Sequence, residues 1–219
     1  MVHNKNSKLF LFSFLFLSTS FCLAETDNMP HHPFYVGAIA GFGSTTWEGL
    51  VPSEENQNLA LMLSTPIKVE EGGSAWGVLA GYEFTRYFAI EANYVHFPEA
   101  NVHFDSISLF SFDHDGLEVL TTQTEVVTLM GKLMVPIPHS QMKIFSGAGV
   151  AGVHRKDIVV NDWRPGPAFS VGVNYHFTEH ITGEVAGNFT AGYGESQLNP
   201  ADSYYPFLYS VAVHLIYRF

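Results

Sequence analysis

Few residues of this 219-residue chain have the types and spacing that chemistry needs. His139-Ser140 sets a base beside a hydroxyl, and Asp113-His114-Asp115, with Ser106, Ser108 and Ser111 nearby, gathers carboxylate, imidazole and hydroxyl. Hydrolysis requires nucleophile, base and orienting group within hydrogen-bond reach. His139-Ser140 falls beside Pro138 in an expected short turn, and the Asp-His-Asp run in an expected long loop, so neither has a strand beneath it. The chain is read as non-enzymatic. His31-His32 and Asp113-His114-Asp115-Gly116 offer metal ligands, but neighbours on an extended segment point apart, and neither run has the spacing of a zinc or calcium site. No metal and no cofactor is expected. What remains is charge inside apolar segments: Glu91, Lys132, His176, Glu184 and Arg218. Their chemistry is electrostatic, because a buried charge without a partner costs several kcal/mol.

The elements that carry these charges show themselves by alternation. From Phe207 to Phe219, Phe207, Tyr209, Val211, Val213, Leu215, Tyr217 and Phe219 share one face of a strand, and Ser210, Ala212, His214 and Arg218 the other. The same period of two marks eight candidate strands, at 34–44, 75–84, 88–97, 124–135, 142–154, 167–177, 181–192 and 207–219. Connections alternate in size. Thr85-Arg86-Tyr87, Pro136 to Gln141 and Thr178-Glu179-His180 are short, whereas 45–74, 98–123, 155–166 and 193–206 are long and polar. Short periplasmic turns and long outer loops are the asymmetry of outer-membrane barrels.

The faces decide between membrane and soluble barrel. Phe169, Val171, Val173, Tyr175 and Phe177 oppose Ser170, Gly172, Asn174 and His176; Ile181, Val185, Phe189 and Tyr193 oppose Thr182, Glu184, Asn188 and Thr190; Phe88, Ile90, Ala92 and Tyr94 oppose Ala89, Glu91 and Asn93. A soluble lipocalin-like barrel has the reverse, an apolar interior and a charged exterior. Polar-in, apolar-out is the membrane pattern. Phe42, Trp47, Trp76, Phe189, Tyr193, Phe207 and Tyr209 are expected to form an outer aromatic girdle, and Phe34, Tyr82, Phe84, Tyr175, Tyr217 and Phe219 an inner one. In the loop 98–123, Phe104, Ile107, Leu109, Phe110 and Phe112 suit either a hairpin above the membrane or a contact surface.

The amino terminus points to the same compartment. Lys5 and Lys8 precede the apolar run Leu9 to Leu17, and Cys22-Leu23-Ala24 supplies small residues for cleavage, so residues 1–24 read as a secretory signal. Its removal takes the only cysteine and two of the ten basic residues, moving the net charge from −11 to about −13. Nucleic acid is excluded as a partner on that charge. Acidic residues gather in the long connections, at Glu48, Glu54, Glu55, Glu70, Glu71, Asp105 and Glu118, as a solvated loop surface or one bridged by divalent cations to lipid phosphates.

Several segments resemble the OmpA transmembrane-domain family and, more loosely, OmpX and the opacity proteins. GVLAGYEFTRYFAIEANYVHF (Gly77 to Phe97) is similar to that family's second hairpin, TLMGKLMVPI (Thr128 to Ile137) to its fourth strand and following turn, SVGVNYHFTEHITGEVAGNF (Ser170 to Phe189) to its third periplasmic hairpin, and VAVHLIYRF to its last strand. The resemblance implies that Glu91 and Lys132 match a luminal carboxylate and lysine that switch partners to gate a narrow path. Glu184 stands where the family has an arginine and Asn174 where it has a carboxylate, so Lys132 faces two acidic groups; Lys143, Arg155, His176 and Arg218 complete the expected network. Leu215, Tyr217 and the terminal Phe219 look like the signal read by the outer-membrane assembly machinery. The family's peptidoglycan-binding domain is not part of the match.

These readings converge on an all-β, eight-stranded antiparallel transmembrane up-and-down β-barrel at 25–219, in the outer membrane of a Gram-negative bacterium, with both termini periplasmic and four long extracellular loops. Eight strands leave an interior that side chains fill, so at most narrow ion passage is expected. Outer-membrane lipid and lipopolysaccharide are the expected surroundings. Adhesion through the loops to a host surface ligand is the competing emphasis, and lipid A modification the alternative from another class.

Overall fold

The computed structural model describes residues 30–52, 65–106, 116–192, 198 and 205–219. The expected signal at 1–24, Glu54, Glu55, Ile107, Ser108, Leu109, Phe110, Ser111, Phe112, the Asp113-His114-Asp115 run and Tyr193 lie outside the described residues. The described chain forms strands β1 (Phe34–Ser44), β2 (Lys68–Glu70), β3 (Gly73–Thr85), β4 (Phe88–His96), β5 (Ala100–His103), β6 (Val119–Pro136), β7 (Met142–Lys156), β8 (Asn161–His176), β9 (Ile181–Thr190) and β10 (Leu208–Arg218). Eight of them, all but the short β2 and β5, pair antiparallel in a ring in which β10 returns to β1, from Tyr35↔Arg218 to Ser44↔Tyr209. The result is a closed eight-stranded antiparallel barrel. Closure leaves no lipid-exposed strand edge with unpaired backbone groups, which a bilayer would penalise.

Side-chain alternation builds the wall. Along β10 every second residue is buried, so that Leu215 is 63% exposed while His214 beside it is 2% exposed. Two exposed aromatic bands ring the outside. Phe42, Trp76, Phe189, Phe207 and Tyr209 mark the end bearing the long connections, and Phe34, Tyr82, Phe84, Tyr175, Tyr217 and Phe219 the end bearing the short turns. Phe219 N donates to Phe34 O at 2.9 Å, which sets the last residue beside the start of β1 at the turn end.

Two expectations need correction, and of the alternatives open for 98–123 the hairpin is found. Trp47 is no girdle residue: it lies in a 3-10 turn, Trp47–Leu50, and is 2% exposed. It packs with Leu50, Ala100, Val102, Phe104, Leu120 and Leu198 into an apolar cap at the loop end, so Phe104 is a core residue of that cap. The stretch 155–166, expected as a loop, is the top of a long hairpin whose turn is only 157–160, with β7 and β8 paired up to Lys156↔Asn161. The 98–123 connection contains a hairpin, for β5 pairs with the upper part of β6 from Ala100↔Thr122 to His103↔Val119, and β2 adds to β5.

The lumen is filled. Tyr35, Ile39, Leu79, Ala212 and Ile216 form one apolar cluster, Ala89, Met134, Phe145 and Ala186 a second, and Phe97, Val126, Met130, Ala151, Val153, Ala168 and Leu208 a third. Polar side chains lie between these layers.

Candidate functional site

Inward positions on facing walls bring four ionisable groups together at mid-lumen. Lys132, on β6, reaches Glu91 of β4 at 2.8 Å and Glu184 of β9 at 2.9 Å. His214 of β10 meets Glu184 through Nδ1 at 2.9 Å, and the Tyr35 hydroxyl donates to Glu91 Oε2 at 3.0 Å. Because a carboxylate accepts only, Nδ1 of His214 carries the proton of that bond. The ammonium also lies 4.0 Å from the centre of the Phe145 ring. Residues from strands far apart in sequence thus cross the barrel and meet in its centre, all nearly inaccessible to solvent. Such a cluster is costly to break, since removing one member leaves its partners charged and buried.

Arg218 and His176 stand apart from this quartet. Arg218 Nη1 donates to Glu83 Oε2 at 2.5 Å, and Lys143 Nζ to Glu83 Oε1 at 2.6 Å. Thr182 links the other two, accepting from Arg218 Nε at 3.2 Å and lying 2.8 Å from His176 Nδ1. This second cluster floors a vestibule of about 510 Å³ at the turn end, lined also by Arg86 and Glu179. The structure therefore divides the five candidates into a triad, Glu91, Lys132 and Glu184, and a pair, His176 and Arg218. Arg155 belongs to neither. It is fully buried under the loop-end cap, paired with Asp157 and lying 4.5 Å from the Trp47 ring.

Glu83, Tyr35 and His214 are the residues that sequence reasoning missed. Alternation in 75–84 held the signal for Glu83: Trp76, Val78, Tyr82 and Phe84 face outward, and Ala75, Leu79 and Glu83 are buried. Between quartet and cap lies a cavity of about 30 Å³ whose lining includes Asn93, Thr128 and His214. A space of that size holds a water. His139 and Ser140 lie in the β6–β7 turn, where His139 has φ of 59° and Ser140 Oγ accepts from Met142 N at 3.1 Å.

Residues 13–219 match the family of outer membrane protein beta-barrel domains. The chain belongs to that family. Membership places it in the outer membrane of Gram-negative bacteria, the setting the two aromatic bands suit. Among solved structures it is similar to the Neisserial surface protein A, with a TM-score of 0.52 at 12% identity over 85% of this chain and 97% of that one. It is also similar to OprG of Pseudomonas aeruginosa (TM-score 0.47, 13% identity, 84% of this chain and 96% of that one) and to outer membrane protein W of E. coli (0.46, 16%, 86% and 98%). At 12% identity the likeness to the Neisserial protein is one of fold alone. No curated protein matches the sequence.

Proposed function

We propose that this outer-membrane barrel is a surface-exposed structural protein, with both termini periplasmic and the long connections outside, and that its lumen passes at most a narrow stream of ions. The observation that carries the reading is Lys132 held between Glu91 and Glu184 with a side chain 3% exposed. A lumen crossed by paired charges and packed above and below with apolar side chains is a plug. Glu91, Lys132 and Glu184 have the geometry of a partner switch, since Lys132 already touches both carboxylates, and any passage would run through them. Lipopolysaccharide and outer-membrane lipid would contact the wall, and Leu215, Tyr217 and Phe219 would present the insertion signal to the assembly machinery.

The test is single-channel current from the refolded protein in planar bilayers, with heat-modifiable gel mobility to establish that the barrel is folded. Folded protein giving only small, brief openings is the expected result. Sustained, large conductance from folded protein overturns the plugged reading. A second reading, adhesion through the loops, draws on the parts standing beyond the ring: the β2–β5–β6 sheet and the upper β7–β8 hairpin. Host-cell binding by bacteria producing the chain, lost when 157–160 is replaced by a two-residue turn, would favour it.

A further inference from the structure

One row of side chains on the outside of the barrel differs from the apolar wall around it. Strand register sets Trp76 opposite His96, His96 opposite Glu125, Glu125 opposite His154 and His154 opposite Trp163. Five consecutive strands of the ring each contribute one residue, and read across the sheet the row is Trp-His-Glu-His-Trp. All five face outward, in phase with the exposed Val78, Val127 and Val150.

The row is tied together. His96 Nδ1 lies 3.6 Å from Glu125 Oε1, and His154 Nδ1 3.5 Å from Glu125 Oε2. The Tyr94 hydroxyl donates to Glu125 Oε1 at 3.0 Å. At the ends, Trp76 sits 5.3 Å from the His96 ring, and Trp163 stacks on His154 at 4.7 Å with 10° between the planes. A carboxylate and two imidazoles facing acyl chains would be destabilising, so the row starts where hydrocarbon gives way to headgroups and lies outward of it. It also climbs. Trp76 stands nine residues from Thr85 at the end of β3, and Trp163 thirteen from His176 at the end of β8. The difference of four residues is about 13 Å along a strand. Trp76 is thus rooted in the aromatic band and Trp163 lies beyond it.

Indole faces at both ends with hydrogen-bonding groups between them match the chemistry of a sugar: the C–H face of a pyranose stacks on an aromatic ring, and its hydroxyls bond to carboxylate and imidazole. We propose that this row is a binding site for the sugar headgroup of an outer-leaflet glycolipid, an inference resting on the reading that the loop end faces outward. Lys156, two residues beyond His154 on the same face of β7, supplies a cation for a headgroup phosphate.

Tryptophan emission reads the site directly, because two of the chain's three tryptophans are in the row and Trp47→Phe removes the third. The full chain with that change, shown folded by heat-modifiable mobility, is titrated in detergent micelles with lipopolysaccharide and separately with phosphatidylglycerol. The expected result is a saturable change with lipopolysaccharide only, and about tenfold weaker binding in a folded His96→Ala/His154→Ala variant. An unchanged curve in that variant overturns the site. So does an equal response to phosphatidylglycerol, which would make it a general acidic-lipid surface, or a response to zinc chloride alone that EDTA abolishes together with the lipopolysaccharide signal. Labelling an Asn161→Cys variant on intact cells tests orientation separately. Labelled cells with a flat titration overturn the row alone, whereas unlabelled cells overturn the orientation and the outer-leaflet ligand with it.

Discussion

Lys132 is the residue on which the lumen depends most, because two carboxylates share its single charge. Lys132→Met keeps the side chain's length and removes its ammonium, leaving Glu91 and Glu184 buried without that charge. The expected loss is about 3–5 kcal/mol, read as a shift of the urea midpoint for unfolding from lipid vesicles. Adding Glu184→Gln should recover part of that loss, and no recovery would argue that the two groups do not share the charge. Gly81 matters for a related reason. A Cβ there would lie 2.3 Å from Tyr35 Cζ, and Tyr35 is held by its hydrogen bond to Glu91. Gly81→Ala should therefore cost about 1–3 kcal/mol, and less in a Tyr35→Ala background, where the clash is gone. At this scale sequence alternation located Glu91 and Glu184 on the inward face, since parity is all that face assignment needs. Alternation alone could not join Lys132 to Glu184, 52 residues away, because that contact spans the barrel and depends on closure; the family resemblance is what set the two together. Nor could alternation separate Arg218 from the quartet, since depth along the axis follows from register and strand tilt rather than parity.

The β7–β8 hairpin shows where reading elements from sequence stops working. Pro165 and Gly166, in the expected loop, and Pro167, first in the expected strand, are breaker residues by type, yet β8 runs through them. Pro167 O accepts from Ala191 N at 3.0 Å, so the Pro167 nitrogen, and that of Pro165 two residues away, also face the β9 side rather than β7. β9 pairs with β8 only from Ala168↔Thr190, so the missing N–H groups interrupt no ladder bond. The breakers are edge residues, a fact only the strand order reveals. The eight barrel strands themselves were legible because each carries its own two-residue period. The tip of the hairpin is fastened by Asp157, whose Oδ1 accepts from Val159 N and Val160 N, each at 2.8 Å, and whose Oδ2 accepts from Thr122 Oγ1 at 3.1 Å and pairs with Arg155. Asp157→Ala frees the turn and leaves the Arg155 guanidinium without that carboxylate. We expect faster proteolytic cleavage at 157–160 in a barrel that keeps its heat-modifiable mobility. Cleavage at the wild-type rate would show that the turn holds without Asp157.

Viewed whole, the described residues close one axis at mid-lumen and again at the loop end, with apolar layers filling the space around them. The quartet around Lys132 blocks the middle, and the cap of Trp47, Leu50, Phe104, Leu120 and Leu198 covers the loop end above the buried Arg155. Closures in series act like resistors in series: opening one leaves the current limited by the other. Lys132→Ala alone should therefore leave conductance in planar bilayers close to that of the wild type despite its effect on stability, and Trp47→Ala alone should do the same. The two changes together should raise conductance above either single variant, provided heat-modifiable mobility shows the double variant folded. Large currents from folded Lys132→Ala alone would mean that the cap is permeable to ions and that the quartet is the sole barrier. Large currents from Trp47→Ala alone would mean the reverse, that ions already slip past Lys132 by exchange between Glu91 and Glu184. The three variants thus measure separately the two barriers that the fold stacks in one lumen.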